Sequence, residues 1–324
     1  MLHRWRMLAL LVIVAVVGAA TVASAKPGHG KGGGKVNAAE RLFTLQPDPA
    51  GNPEGVVFDQ QSKAFFVSIT ADGAIYRGTL GSDTLSPFIP GTTDGSAVGI
   101  KVQGGKLYVA GGSTGSITVY DLATRQVVAQ FQTGTGGFLN DLVVTGRGDV
   151  FVTDSFRPVL WHVTAEQVSA GSGTPQALDV SEIPFEAGQF NLNGIVTRGS
   201  HRLVVVDTNS GKLYRIELGA DLSSIRAIDE IHGATVPGGD GLLLDRGRLV
   251  AVQGNPAQLS FLKLRAGALR ATLERTQTSD KLRGPSTVDR ADGLYLVVNA
   301  DFAMSQRPFT VAGLPRQQGP KDDG

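Results

Sequence analysis

The sequence repeats one pattern of short apolar strands and tight turns six times, with successive copies opening about 42 to 53 residues apart. Each copy has a short apolar strand, a turn, a second apolar strand, another turn, and a strand that ends in aromatic and aliphatic residues. The copies begin at Pro53, Ala97, Leu139, Leu192, Gly239 and Gly284. A multi-stranded repeat of this length is typical of propeller blades. We therefore predict an all-β, six-bladed β-propeller.

The sixth copy lacks a clear fourth strand, and residues 39–45 (AERLFTL) are a candidate to supply it. If this N-terminal strand pairs with the last blade, it closes the ring and covers edges that an open sheet would expose. A β-sandwich pair or an open repeat array is the alternative architecture. An open array needs terminal capping repeats, however, and the end copies show no distinctive caps.

The two ends of the chain are predicted to lie outside the propeller. Residues 1–25 combine basic residues, an apolar run and a small-residue A-x-A site, the pattern of a signal peptide. We expect a secreted protein with no membrane span after cleavage. An uncleaved anchor is the alternative, although the apolar run is short for a span of about 20 residues. A Gly/Lys-rich linker at 26–38, the propeller at 39–314 and a polar tail at 315–324 follow.

The composition narrows both the source of stability and the classes of partner. The chain has no cysteine, so its core or a bound metal must stabilise an exported domain. The formal net charge is +1, and the basic residues are scattered, which argues against a nucleic-acid partner. The G-x-S-x-G string at 111–115 (GGSTG) lies in a predicted hairpin turn rather than at a strand-to-helix elbow, so it gives no support for a serine nucleophile.

The opening positions of the copies form a set of equivalent residues, the column, that should face the central channel of the ring. Four of its six members carry side-chain oxygen donors; the column consists of Glu54, Val98, Asn140, Asn193, Asp240 and Pro285. Two carboxylates and two amide oxygens suit Ca²⁺ or another divalent hard cation, whereas zinc prefers Cys and His. Each of the four also stands in a good turn sequence. The prediction of a metal site therefore depends on their falling in one column.

Four of the opening motifs resemble, in order and spacing, those of the senescence marker protein/gluconolactonase family of six-bladed propellers. The matching segments are P-E-G-V-V-F-D at 53–59, N-D-L-V-V at 140–144, N-G-I-V at 193–196 and D-G-L-L-L-D at 240–245. The resemblance implies that Glu54, Asn193 and Asp240 hold a divalent cation. It also implies that Asn140 lies beside the metal and contacts substrate, and that Asp240 is the catalytic base.

Phe138 stands where sugar-lactonase members of this family usually have an arginine that grips the sugar acid. We therefore expect Phe138 to contact substrate in a more apolar pocket. The enzyme hypothesis is metal-dependent hydrolysis of a small-molecule ester or lactone, in which the cation polarises the carbonyl group. The alternative is a non-catalytic propeller that binds a ligand or protein and keeps the metal for stability.

Two further features have weaker functional interpretations. We interpret His232 as a solvent-exposed loop residue; it is the histidine nearest in sequence to the column, which makes it the alternative base. Residues 169–190 form the longest predicted loop, which is a candidate lid or partner surface or a plain surface excursion.

Overall fold

The structure, a computed structural model, describes residues 39–316. The predicted signal peptide and linker, and residues 317–324 of the predicted tail, lie outside the described residues. The regular secondary structure of the described chain is almost entirely β-strand; the exceptions are one short helix, α1 (Ala165–Ala170), and one 3₁₀ turn (Ala266–Ala268). No helix within residues 39–316 has the length and apolar character needed to cross a membrane.

The strands follow the predicted repeat. In chain order they are β1 (Arg41–Leu45), β2 (Pro53–Asp59), β3 (Ala64–Ile69), β4 (Ile75–Thr79), β5 (Thr84–Ile89), β6 (Ile100–Gln103), β7 (Lys106–Ala110), β8 (Ser116–Asp121), β9 (Val127–Gln132), β10 (Leu139–Val144), β11 (Val150–Asp154), β12 (Val159–Val163), β13 (Gln176–Asp179), β14 (Leu192–Thr197), β15 (Arg202–Asp207), β16 (Leu213–Leu218), β17 (Ile225–Glu230), β18 (His232–Gly233), β19 (Gly239–Asp245), β20 (Arg248–Gln253), β21 (Gln258–Arg265), β22 (Arg270–Gln277), β23 (Pro285–Arg290), β24 (Leu294–Asn299) and β25 (Thr310–Pro315).

Each repeat folds into an antiparallel sheet whose strands lie side by side in chain order. Three sheets have four strands each: β6 to β9, β10 to β13, and β14 to β17. A further sheet runs β19 to β22 and carries the two-residue β18 at its outer edge, parallel to β22. The remaining strands, β1 to β5 and β23 to β25, form one eight-stranded sheet.

Strand β1 joins the first and last repeats. It pairs antiparallel with β25, with Phe43 opposite Val311, and parallel with β5, with Thr44 opposite Thr84. This confirms the predicted pairing of the segment 39–45 with the last strands. The parallel pair to β5 was not predicted, and it merges two four-stranded units into the eight-stranded sheet.

The first strands of successive repeats lie against one another. Strand β2 contacts β6, β6 contacts β10, β10 contacts β14, β14 contacts β19, and β19 contacts β23, which in turn contacts β2. An all-β chain of several four-stranded sheets with this cyclic order of first strands is consistent with a β-propeller.

The core lies between neighbouring sheets. Strand β3 (AFFVSI) is buried along its whole length, as expected for a strand covered on both faces. The rings of Phe43 and Phe65 meet edge to face, with centroids 5.1 Å apart, where the first and last repeats pack together. Outer strands alternate instead: in β9 (VVAQFQ) only Ala129 and Phe131 are buried. This alternation explains why the fourth strands are harder to recognise in the sequence.

The segment 169–190 is not the long loop that the sequence suggests. It contains the end of α1 and the whole of β13, which pairs antiparallel with β12. Helix α1 begins at a capping box between Thr164 and Gln167 and ends at Gly171, which has a φ of 80°. Strand β13 is the fourth strand of its own sheet, so these four residues are not part of a lid; for the remaining loop residues of the segment the lid or partner-surface interpretation stays a prediction.

Candidate cation site

A β-bulge near the start of the first strand positions the column residue in five of the repeats. In the first of these, Glu54 and Gly55 together face the single residue Ser68. The same irregularity follows Leu139, Leu192, Gly239 and Pro285. A bulge bends its strand and re-aims a side chain. The five repeats with this bulge belong to four sheets, because β2 and β23 share one sheet, and all five present their column side chains in the same way.

The pairing register corrects the sixth column position by one residue. Pro285 lies opposite Asn299 and before the bulge, as Pro53 does in the first repeat, so the equivalent of Glu54 is Ser286. The assignment of Pro285 to the column was therefore wrong, because the short sixth motif offered no acidic or amide residue to align. Ser286 is buried, and its Oγ donates a hydrogen bond to the main-chain oxygen of Glu54 at 2.8 Å.

Two glycines beside column residues allow neighbouring first strands to approach closely. A Cβ on Gly194 would lie 2.3 Å from the carbonyl oxygen of Asp240, and one on Gly55 would lie 2.5 Å from that of Val98. Both distances are clashes, so any larger residue would push the strands apart. These contacts bring column residues from different sheets alongside one another.

All four predicted oxygen donors have a buried side-chain oxygen with no hydrogen-bond partner among the described residues. These atoms are Glu54 Oε2, Asn140 Oδ1, Asn193 Oδ1 and Asp240 Oδ1. Glu54 and Asn140 are each 4% exposed and Asn193 is 6% exposed, while Asp240 is half-buried. Because buried polar atoms almost always have a partner, four unpaired oxygens in equivalent positions fit a bound ligand. Carboxylate and amide oxygens are the donors that Ca²⁺ prefers.

The side-chain nitrogen of Asn140 donates a hydrogen bond to a neighbouring residue, which leaves its side-chain oxygen available. Asn140 Nδ2 donates to Ser155 Oγ at 2.9 Å, and Ser155 Oγ donates in turn to the main-chain oxygen of Leu192 at 2.6 Å. Ser155 is fully buried, so this chain of hydrogen bonds links the third and fourth repeats. On the opposite side, Thr287 Oγ1 donates to Glu54 Oε1 at 3.3 Å.

The two column carboxylates are held in an environment that disfavours their charged forms. Burial raises the pKa of Glu54 well above its usual value; the charges of Asp240 and Asp141 raise it further, and Lys101 opposes them. Burial and the charge of Asp141 raise the pKa of Asp240 to about 8, against an opposing hydrogen bond from the side chain of Asn193. A cation bound between these carboxylates would favour their charged forms and so oppose both shifts.

Asp141 and Lys101 are charged neighbours of the candidate site that the sequence interpretation missed. Asp141 Oδ1 accepts hydrogen bonds from Lys101 Nζ at 2.9 Å and from the main-chain nitrogen of Leu142 at 2.8 Å. Its Oδ2 accepts from the main-chain nitrogen of Ile195 at 3.3 Å, so this carboxylate is already satisfied. The available signal was the aspartate of the N-D motif, which was interpreted only as a turn residue.

The electrostatic balance of the site favours a divalent cation. Three carboxylates, those of Glu54, Asp141 and Asp240, face one ammonium group, that of Lys101, which leaves two uncompensated negative charges when all are ionised. Within residues 39–316, no three His, Asp or Glu side chains form a metal-binding group. The unpaired amide oxygens of Asn140 and Asn193 are further candidate ligands beside the carboxylates.

The two histidines His162 and His232 lie away from the column. His232 is on β18, at the outer edge of the sheet whose first strand carries Asp240, and its side chain is 69% exposed. His162 is buried in β12, where its Nε2 lies 3.0 Å from Asp149 Oδ1 and its ring stacks on Phe151. The first histidine is a surface residue and the second belongs to the core, so neither is placed to act as a base at the column.

Phe138 is partly exposed just before β10, and its ring contacts Phe156 and Phe190.

A separate cavity of about 570 Å³ is lined by Asp59, Arg77, Phe88 and Arg125, among others. Asp59 is the last residue of β2 and Glu54 is the second, so the two are about 17 Å apart along an extended chain. This cavity therefore lies at the other end of the sheets from the column.

No protein-family model matches the sequence, and no curated protein matches it at the sequence level. Solved structures do match the fold. A luciferin-regenerating enzyme aligns with a TM-score of 0.61 at 12% identity, covering 85% of this chain and 95% of its own. A gluconolactonase from Xanthomonas campestris aligns with a TM-score of 0.60 at 15% identity, covering 85% and 89%. Regucalcin from Agrobacterium tumefaciens, a calcium-binding protein, aligns with a TM-score of 0.60 at 16% identity, covering 83% and 95%.

These likenesses, together with the sheet order, define the chain as a β-propeller. In fold it resembles the senescence marker protein/gluconolactonase family, of which these three proteins are members. At such low identities the likeness extends to the fold and carries no activity with it.

Proposed function

We propose that this protein is a six-bladed β-propeller that binds a divalent cation, with Ca²⁺ as its ion, and hydrolyses a small ester or lactone there. The ligands in this proposal are Glu54, Asn193 and Asp240, with Asn140 beside them. The observation that carries it is the set of unpaired buried oxygens on these four residues. The count of six is supported by the cyclic contacts among β2, β6, β10, β14, β19 and β23.

The hydrolytic part of the proposal assigns tasks to individual side chains. A bound Ca²⁺ would supply Lewis-acid polarisation of the substrate carbonyl. Asp240 has two tasks in this proposal, as a ligand through its unpaired Oδ1 and, directly or through water held by it, as the base; the hydrogen bond from Asn193 favours its charged form. Asn140 presents its oxygen because its nitrogen is bound to Ser155. Asp141 holds the Lys101 ammonium at 2.9 Å, which keeps a competing cation in a fixed place.

Two of the structural relatives support this choice by their names: one is a gluconolactonase and another is a calcium-binding protein. We also propose that the protein is exported, on the basis of the N-terminal sequence pattern. Calcium sites of extracellular modules are often weak, and a set of two carboxylates and two amides suits such a site.

The first experiment measures cation binding. Chelator-treated protein is titrated with CaCl₂ by calorimetry, in parallel with Glu54→Gln and with Glu166→Gln, a matched change on the exposed face of α1. We expect one site in the wild type, binding at least tenfold weaker in Glu54→Gln, and wild-type affinity in Glu166→Gln. Equal affinities in all three proteins would remove Glu54 from the site.

The second experiment separates a hydrolase from a binding platform. A panel of phenyl acetate and aliphatic lactones is assayed with Ca²⁺ and with chelator, for the wild type and for Asp240→Asn. Calcium-dependent turnover that disappears in folded Asp240→Asn supports the hydrolase. If the protein binds Ca²⁺ and is stabilised by it but hydrolyses no compound of the panel, the catalytic part of the proposal is overturned. That result would favour a binding platform in which the metal has a structural role.

A further inference from the structure

Three phenylalanine rings form an exposed group, the Phe cluster, made of Phe138, Phe156 and Phe190. Their centroids are 5.1 Å apart for Phe138 and Phe190, 4.9 Å for Phe156 and Phe190, and 5.6 Å for Phe138 and Phe156. Phe156 is 37% exposed and Phe190 is 46% exposed. Single exposed apolar residues are ordinary, but mutually packed exposed aromatics are typical of a binding surface.

Buried Asp154 fixes the two loops that carry Phe138 and Phe156. Its Oδ1 accepts hydrogen bonds from the main-chain nitrogens of Phe138 at 2.9 Å and of Phe156 at 3.1 Å. Its Oδ2 accepts from Arg157 Nε at 2.7 Å and from Trp161 Nε1 at 3.1 Å. Asp154 is fully buried, so one carboxylate organises both loops.

Buried Asn191 fixes the loop that carries Phe190. Its Nδ2 donates to the main-chain oxygens of Ser155, Glu186 and Gln189 at 3.1, 2.9 and 2.8 Å. Its Oδ1 accepts from the main-chain nitrogen of Glu186 at 2.7 Å. The three rings are thus held by polar contacts beneath them rather than by their own burial. Such preorganisation lowers the ordering cost of binding a ligand.

The Phe cluster adjoins the candidate cation site, because each of its rings lies close in sequence to a residue that carries or supports one of the oxygen donors. Phe156 follows Ser155, whose hydroxyl accepts the hydrogen bond from Asn140. Phe138 precedes Asn140 by two positions, and Phe190 lies just before β14, which carries Asn193. A ligand whose polar group reaches Asn140 would therefore have its apolar part beside these rings.

Arg157, which follows Phe156 in the sequence, is not available to bind an acidic sugar. Arg157 binds Asp154 through Nε, and its Nη1 donates to the main-chain oxygen of Thr133 at 3.0 Å. Its guanidinium also lies over the ring of Trp161, 4.9 Å from the centroid. A polyhydroxylated lactone would lose hydrogen bonds to water on these rings without replacing them.

We propose that the Phe cluster is an apolar subsite that selects esters or lactones with an aryl or extended aliphatic group. This assignment of the substrate class rests on the proposed hydrolytic function. The subsite itself is tested by binding, which does not depend on hydrolysis.

The binding probe is N-phenyl-1-naphthylamine, a neutral aromatic dye whose fluorescence rises in apolar surroundings. It is titrated into the wild type, the Phe156→Ala/Phe190→Ala double variant, and Phe302→Ala. Phe302 is a matched control, because it is 55% exposed in the loop between β24 and β25 and lies outside the cluster. We expect one saturable site in the wild type, affinity about 10- to 100-fold lower in the double variant, and no change in Phe302→Ala.

Unchanged dye affinity in a folded double variant, or an equal loss in Phe302→Ala, would overturn the subsite. Substrate selection is then read from the ratio of kcat/KM for phenyl octanoate to that for phenyl acetate. We expect this ratio to fall at least tenfold in the double variant; an unchanged ratio would contradict the assigned substrate class. A wild type that binds the dye at the cluster but hydrolyses neither ester would refute the hydrolase and leave the apolar subsite standing.

Discussion

The carboxylate of Asp240 raises the pKa of Glu54, although the two residues belong to different sheets. Burial is the larger cause of that shift, and the charges of Asp240 and Asp141 add to it. The fold thus holds together acidic side chains that repel when ionised. This arrangement costs stability unless a proton or a cation neutralises them.

The first prediction is that the chelated protein loses stability as the pH rises from about 4 to about 8. Over this range folded Asp240, with a pKa of about 8, holds a proton that the unfolded chain releases near its ordinary value of 3.8. The folded state therefore binds more protons, and its free energy of unfolding falls with rising pH. Thermal unfolding across this range, with EDTA and with Ca²⁺, measures the effect.

Added Ca²⁺ should have its largest stabilising effect at the upper end of this pH range, because it replaces the protons there. The Glu54→Gln/Asp240→Asn double variant is the control, since it should lose most of both the pH and the calcium dependence. A wild-type melting temperature that rises with pH in EDTA would contradict the prediction.

The second prediction concerns the serine that orients Asn140. Ser155→Ala removes the acceptor of Asn140 Nδ2 and the donor to Leu192. We expect a loss of about 1–3 kcal/mol in unfolding free energy and about tenfold weaker Ca²⁺ binding, because such supporting contacts orient metal ligands. Urea unfolding and calorimetry measure the two effects.

Ser260→Ala is the matched control for this change. Ser260 is 2% exposed on β21, the third of the strands β19 to β22, and donates to Gln253 Oε1 at 2.6 Å rather than to a column residue. It should lower stability without changing calcium affinity. If both variants keep the wild-type affinity, the Ser155 hydrogen bond does not orient a ligand of the cation site.

The third prediction tests the close approach of the first strands. Gly194→Ala places a Cβ 2.3 Å from the oxygen of Asp240 and 2.6 Å from the nitrogen of Leu242. We expect a loss of about 1–3 kcal/mol, as for overpacked cores. Gly146→Ala has nothing within 4 Å of its Cβ and a φ outside the left-handed region, so it should change stability by about 0.5 kcal/mol or less. Equal effects in urea unfolding would show that β14 and β19 have room to separate.

The repeat made much of this architecture predictable from the sequence. The first and second strands are continuous apolar runs, as in LLL at 242–244 and LVVV at 203–206, because they lie between other strands and neighbouring sheets. Once the copies are aligned, Glu54, Asn140, Asn193 and Asp240 fall at equivalent positions without any knowledge of the structure. Their roles as ligands remain predictions.

The parts that the sequence did not predict depend on register and on long-range contacts. The assignment of Ser286 rather than Pro285 to the column requires knowledge of the strand pairing, because a bulge shifts the register by one residue. The hydrogen bond between Lys101 and Asp141 joins two sheets, and nothing in either local sequence indicates it. The Phe cluster likewise gathers three loops whose rings meet only after folding.

The fourth prediction concerns β1, which connects the two ends of the described domain. Phe43 is fully buried, packs on Phe65 and lies opposite Val311 of the last strand. Phe43→Ala should lower the free energy of unfolding by about 3–5 kcal/mol. Its neighbour Leu42, 41% exposed on the other face of the strand, is the matched control, and Leu42→Ala should cost about 0.5 kcal/mol or less.

Urea unfolding of the two variants, followed by tryptophan fluorescence and far-ultraviolet circular dichroism, shows whether β1 belongs to the cooperative unit. If it does, Phe43→Ala shifts both transitions together, because β1 pairs with β25 and with β5 at once. An early transition confined to one signal would mean that β1 detaches while the remaining sheets stay folded. In that case the joining of the two ends would not contribute to the stability of the whole domain.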